Sequence, residues 1–287
     1  MIYDSLIAPF AEFQFMRRAL VGAVAIALGA APIGVFLMLR RMSLTGDAIA
    51  HGILPGVAVG YLLAGLSLTV LTLGGLIAGI VVAIAAAAVS RRTIQREDTS
   101  MAAFYLISLA LGVLLISLRG GAIDLQGFLF GSVLALDDEA LVLLVGTTAL
   151  TLGIVAVILR PLLMESFDPA FLRQVSGTGS AVHYAFLALA VLNLVAGFHA
   201  LGTLMAVGIM ILPAAGARFW AKSASAIIGA AMIIGCASAA GGLIASFHFD
   251  LPTGPTIILV AGLFYLGSML LGPQGSFLAS RTQTRTS

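Results

Sequence analysis

Two residues in the segment LRRMSLTGDAIAHGILPG (39–56) are chemically out of place: Asp47 and His51 lie four positions apart in an otherwise apolar stretch. On a helix that spacing puts both side chains on one face. A carboxylate oxygen and an imidazole nitrogen presented together form a donor set for a divalent transition metal. A second reading stays open at this stage. Asp47 follows Thr45 and Gly46 and can act as a helix N-cap, with His51 hydrogen-bonding it across one turn. Against capping stands the cost of ~2.5–3.5 kcal/mol for an Asp toward the middle of a membrane span, which is why such residues usually face a cavity or a pathway.

The elements that must position this pair are membrane helices. Of 287 residues, 61% are hydrophobic and 9% charged, and the mean hydropathy is +1.15, outside the soluble class. Runs without Asp, Glu, Lys or Arg predict nine spans, at about 19–39, 45–64, 67–90, 100–118, 139–159, 181–198, 200–217, 224–247 and 253–272. Residues 52–90 carry no formal charge; one helix of that length would be about 58 Å long, so a break is placed near Gly65, and another near residues 197–201. The expected fold class is an all-α polytopic membrane protein forming one permease-type domain over 1–287. Ile2, Leu6, Phe10 and Phe13 predict a short interfacial helix over 1–16, no cleavable signal peptide is read there, and 274–287 is a polar tail.

Orientation follows from basic residues. With the N-terminus outside and the C-terminus inside, the inner side receives Arg40, Arg41, Arg91, Arg92, Arg96, Arg160, Arg173, Arg218, Lys222, Arg281 and Arg285, and the outer side only Arg17, Arg18 and Arg119. The outer side then carries most of the acids, including Asp137, Asp138 and Glu139, which either draw cations or cap the fifth span.

Other features are weaker or negative. Gly52, Gly56 and Gly60 form a small-residue ridge beside the Asp47–His51 face, for packing either against another helix of the same chain or against a second copy. A second copy would supply two Asp and two His around one axis. His199 and His248 fall on the outer side as candidates for a metal-collecting funnel, and His183 reads as interfacial. Residues 160–180, RPLLMESFDPAFLRQVSGTGS, form the longest polar interval on the inner side, with Asp168 placed to cap a short helix begun by Pro169. No HExxH metalloprotease motif occurs, and GARFWAKS (216–223) has Ala221 where a phosphate-binding loop needs glycine, so ATP chemistry must come from another subunit. The lone Cys236 allows no intrachain disulfide.

The motifs FMRRAL (15–20), RRMSLTGDAIAHGILPG (40–56), DLQGFLFGSVL (124–134), ESFDPAF (165–171), LGTLMAVGIMILPAAGARF (201–219) and FDLPTGPTIIL (249–259) resemble, in order and spacing, the metal-ion permease family of ABC importers, the membrane subunits for zinc and manganese uptake. The resemblance covers nearly the whole chain. It implies a homodimer in the bacterial inner membrane, a separate cytoplasmic ATPase and an extracytoplasmic metal-binding protein, with no nucleic acid involved. By position, Asp47 and His51 match the family's metal-coordinating pair at the dimer axis. Glu165, Ser166, Phe167, Asp168 and Pro169 match the segment that docks the ATPase, and DLQGFLFGSVL an outer element near the path. His199 and His248 are not part of the pattern, so no role transfers to them.

The expected function is passage of a divalent transition metal, with no permanently bound cofactor and no enzymatic activity in this chain. Two His and two Asp suit four-coordinate zinc, the favoured cargo, whereas manganese, the alternative alongside iron, prefers about six mainly oxygen ligands. A secondary transporter using Asp47 and His51 as a proton relay, and a permease for an organic metal chelate, are the readings from other classes. Metal binding needs ionised Asp47 and neutral His51, so uptake is expected to weaken as pH falls.

Overall fold

The structure, a computed structural model, describes residues 8–65, 67–117, 133–168, 171–172, 174 and 179–276. Residues 124–132 of the DLQGFLFGSVL stretch, Pro169, the side chain of His199, the first seven residues and the tail from 277 lie outside the described residues. Among those described, all regular structure is helical.

A short helix α1 (Ala8–Glu12) leads at Phe13 into α2 (Gln14–Leu39). The second crossing is split into α3 (Thr45–Gly52) and α4 (Leu54–Ala64). Then come α5 (Leu68–Arg92), α6 (Glu97–Ser117), α7 (Asp138–Phe167), α8 (Gly179–Leu201), α9 (Thr203–Ala217), α10 (Ala224–Phe249) and α11 (Thr253–Leu271). Eight helical segments among the described residues are long and apolar enough to cross a membrane. The ninth expected span, α9, has 15 residues, about 22 Å at 1.5 Å per residue and short of a ~30 Å hydrocarbon core.

Glycine in positive-φ backbone ends two helices. Gly65 (φ 63°) stands after α4, where the sequence places a break, and Gly202 (φ 85°) separates α8 from α9, just beyond the expected 197–201 window. The fifth span differs more. It was expected to end at 159, yet α7 runs 30 residues through Pro161 to Phe167, roughly 45 Å. Proline removes one backbone donor but does not stop a helix whose following residues, LLMES, favour it. Residues 160–167 are therefore a helical extension, and the polar interval proper begins at Asp168. The acids before α7 are helix-start devices: Asp137 Oδ1 accepts from the Ala140 N–H at 2.8 Å, and Asp138 pairs with Arg18 at 2.7 Å.

The most buried helix is α2, packed against α7, α9 and α10, with α8 beside it. One buried polar group joins the bundle's middle: Asn193 Nδ2 donates to Thr151 Oγ1 and to the Leu189 carbonyl, both at 2.8 Å, while Thr148 Oγ1 donates to the Ala25 carbonyl at 2.7 Å. Such bonds contribute about 0.6–1.7 kcal/mol in lipid. Asn193→Ala is expected to lower the thermal midpoint of the detergent-purified protein by a few degrees without altering transport.

The glycine ridge has a definite partner. Gly56 faces Gly74 of α5 so closely that a Cβ on either would fall on the other's carbonyl oxygen; Gly60 faces Val70, and Gly52 faces Val82. The ridge is thus filled by α5 of the same chain.

Candidate metal centre

The helix α3 starts without a side-chain cap: its N-cap residue is Leu44, and Asp47 stands inside the first turn. Capping therefore does not explain Asp47. Pro55, near the start of α4, has no N–H to return to the His51 carbonyl, so the helix breaks at Ile53. Ser108 Oγ of α6 donates to the Gly52 carbonyl at 2.7 Å and fixes the break. α3 packs mainly on α6, with further contacts to α8, α5 and α9.

His51 Nε2 lies 3.6 Å from Asp47 Oδ1, beyond a hydrogen bond. Two ligand atoms held about 2.1 Å from one ion at a tetrahedral angle are separated by about 3.4 Å. The pair therefore stands at ligand spacing. Both side chains reach the surface of the single chain, at 61% exposure for Asp47 and 34% for His51. Below them opens a cleft of about 430 Å³ between α3 and α6, lined by Thr45, Asp47, Asp98, Thr99 and Tyr105 among others. The Tyr105 ring centre is 6.3 Å from that of His51. Among the described residues no three His, Cys, Asp or Glu side chains come together as a complete metal site. An ion held by this pair would need its remaining ligands from water, hydroxyls or another copy.

A second cluster, illegible in the sequence, gathers at the same end of the bundle around a cavity of about 910 Å³. Arg40, just after α2, donates from Nε to Ser166 Oγ and places Nη1 against His183 Nδ1, both at 3.0 Å. Arg91 at the end of α5 reaches Ser180 Oγ at 2.7 Å and Glu165 Oε1 at 3.3 Å. A guanidinium only donates, so His183 Nδ1 must accept and the ring proton sits on Nε2. That atom is 2.8 Å from Glu97 Oε1, off the line of a formed hydrogen bond. His183, read as interfacial, is 4% exposed; its partners are far away in sequence. Burial pushes the Arg40 guanidinium down to about 10, against the pull of Glu165 and Glu97, and it remains charged at neutral pH.

The segment matched to ATPase docking has two faces. Glu165 is 6% exposed and, with Ser166, turned into the cluster, while Phe167 is 71% exposed. Asp168 Oδ1 accepts from the Phe171 N–H at 2.9 Å. His248 is elsewhere. It adjoins Phe247, whose ring meets that of Phe13 at 5.6 Å, one α2 length, about 39 Å, from Arg40. The structure brings Asp47 and His51 together and leaves His248 at the other end of the bundle.

The sequence model of the ABC 3 transport family matches residues 12–272. A manganese import system permease protein of Streptococcus gordonii is 31% identical over 95% of this chain and 96% of its own length. A manganese transport system membrane protein of Halalkalibacterium halodurans is 31% identical over 96% of this chain and 92% of its own. Among solved structures, PsaBC from Streptococcus pneumoniae in complex with Fab superposes with a TM-score of 0.84 at 31% identity, covering 98% of this chain and 100% of that one. The likeness therefore runs through sequence and three-dimensional arrangement alike, along nearly the full length of both partners in each comparison. This chain belongs to the ABC 3 transport family, as a membrane-spanning permease whose ATP-hydrolysing counterpart is a separate subunit.

Proposed function

We propose that this permease passes manganese into the cytoplasm of a bacterium, with Asp47 and His51 as the protein ligands on the path. The observation that carries the reading is the 3.6 Å Asp47–His51 pair on a surface its own chain leaves open. The relatives named above for manganese favour manganese over the zinc expected from the sequence. Four-coordinate zinc would need only the two Asp and two His of two copies. The adjoining cleft offers further oxygen donors on Thr45, Thr99 and Asp98, and an oxygen-rich shell suits manganese.

A second copy fits the open surface. An ionisable pair facing lipid is costly, and Leu63 of α4 and Ile107 and Leu114 of α6 are exposed apolar groups on the helices flanking it. Two copies would bring two Asp and two His to the ion. The end bearing Arg40, Arg41, Arg91, Arg92 and Arg96 faces the cytoplasm on the positive-inside rule, which places the N-terminus outside. ATP binding and hydrolysis in the partner subunit change the side to which the pair is open, and an extracytoplasmic protein delivers the ion.

The test is uptake of radiolabelled manganese and zinc by cells lacking their own importers that express this chain with its ATPase and binding protein. Manganese is expected to accumulate and zinc to compete poorly. Preferential zinc uptake would reverse the cargo assignment, and transport without the ATPase would point to a proton-coupled carrier.

A further inference from the structure

We propose that the half-buried cluster of Arg40, Arg91, Glu97, Glu165, Ser166 and His183 is a latch that carries movement of the ATPase-docking segment to the helix holding Asp47, with Arg40 and Arg91 as its positioning residues. The inference rests on the reading of Phe167 and its neighbours as the docking segment.

Three observations carry it. First, the end of α7 divides its side chains between two tasks: Glu165 and Ser166 are turned inward and bonded to the arginines, while Phe167 is exposed, as is Phe171 beyond the helix. Whatever grips the outer face therefore pulls on the cluster. Second, the cluster ends where the metal pair begins. Arg40 is followed by Arg41 at φ 59°, a left-handed conformation that a non-glycine residue holds only under constraint, and α3 starts at Thr45. Glu97, against His183, opens α6, and its neighbour Asp98 lines both the cluster's cavity and the Asp47 cleft. A shift of either contact is delivered within a few residues to a wall of the metal site.

Third, the cluster is over-supplied with polar atoms. Arg40 Nη2 and Glu165 Oε2 are buried without a hydrogen-bond partner in the protein, and His183 Nε2 and Glu97 Oε1 stand 2.8 Å apart as a contact that no well-aligned hydrogen bond closes. Buried polar groups are ordinarily satisfied, and each exception calls for a reason. Spare donors and acceptors beside made bonds let the helix ends trade partners at small cost, which suits a network with two arrangements better than a fixed brace.

The test uses the full transporter in lipid nanodiscs, comparing ATP hydrolysis with unloaded and manganese-loaded binding protein, alongside uptake. Arg40→Lys and Arg91→Lys keep the charge but cannot hold two partners in the guanidinium geometry. Both variants are expected to retain the ATPase subunit on purification while stimulation by loaded binding protein falls at least about fivefold, the lower end of ordinary allosteric coupling. Ser180→Ala removes one neutral contact to Arg91 and is expected to show a smaller loss, which keeps the inference testable if the lysine variants do not fold or reach the membrane. Stimulation and uptake within about twofold of wild type in the variants that assemble would overturn the latch. So would loss of the ATPase subunit from the lysine variants, which would make the cluster part of docking alone. Phe167→Asp separates the two ideas: it is expected to shed the ATPase subunit, and its retention would remove the docking reading itself.

Discussion

Manganese uptake is expected to fall to background when Asp47 is replaced by Asn, in a permease that still reaches the membrane and still holds its ATPase. The side chain is nearly isosteric and largely exposed on the single chain, and its carboxylate makes no capping bond to α3, so folding has little to lose. The ion loses an anionic ligand. Ionised contacts contribute about 1.5–3 kcal/mol each, and in the proposed two-copy site each copy would lose one, so retention should weaken by about 100-fold or more. Uptake measured with membrane abundance and ATPase co-purification decides the matter. Near-normal uptake would remove Asp47 from the path and leave the cleft oxygens of Asp98 and Thr99 as the next candidates.

The second large effect is structural. Gly56→Ala places a methyl group on the Gly74 carbonyl and 2.7 Å from the Ala78 Cβ. No flexible side-chain end is available to yield there, so α4 and α5 must separate. Overpacking of this kind costs about 1–3 kcal/mol, and backbone contact puts it at the upper end or beyond. The thermal midpoint of the detergent-purified protein should drop by roughly 5 °C or more. Gly146→Ala in α7 is the control, because a Cβ there meets nothing within 4 Å; it should leave the midpoint unchanged or raise it slightly, as alanine favours helix over glycine. Equal behaviour of the two variants would mean that α4 and α5 do not approach as closely as described.

Much of the architecture was legible because crossing a membrane is a one-dimensional problem: uncharged runs give spans, and Gly65 marks a break that length alone requires. The Asp47–His51 pair was legible for the same reason, being two residues on one helix face. The limits are equally physical. The end of α7 was misplaced because Arg160 and Pro161 look like a boundary, although a helix can run on past the hydrocarbon into water. His183 reads as interfacial in the sequence because its partners, Arg40 and Glu97, are remote along the chain. The arginine pairs were read only as topology signals, yet one member of each, Arg40 and Arg91, turns inward to bond another helix. Gly52, Gly56 and Gly60 announced a close helix contact but not with which helix, and the neighbour in sequence, α5, takes it.

The interruption at Ile53 also has a kinematic meaning. Because α4 is locked to α5 through Gly56 and Gly74, while α3 packs mainly on α6, the eight-residue α3 is a short arm about 12 Å long that would tilt together with α6 about the proline-weakened joint. His51 is close to the fulcrum and Asp47 is farther out, about 3 and 9 Å along the axis. A tilt of about 10° would carry Asp47 through an arc of roughly 1.6 Å and His51 through only about 0.5 Å, against a metal–ligand bond of about 2.1 Å. If the pair holds the ion as proposed, so small a swing would stretch one bond most of the way to rupture and leave the other nearly intact. The ion would part from the carboxylate first and from the imidazole last.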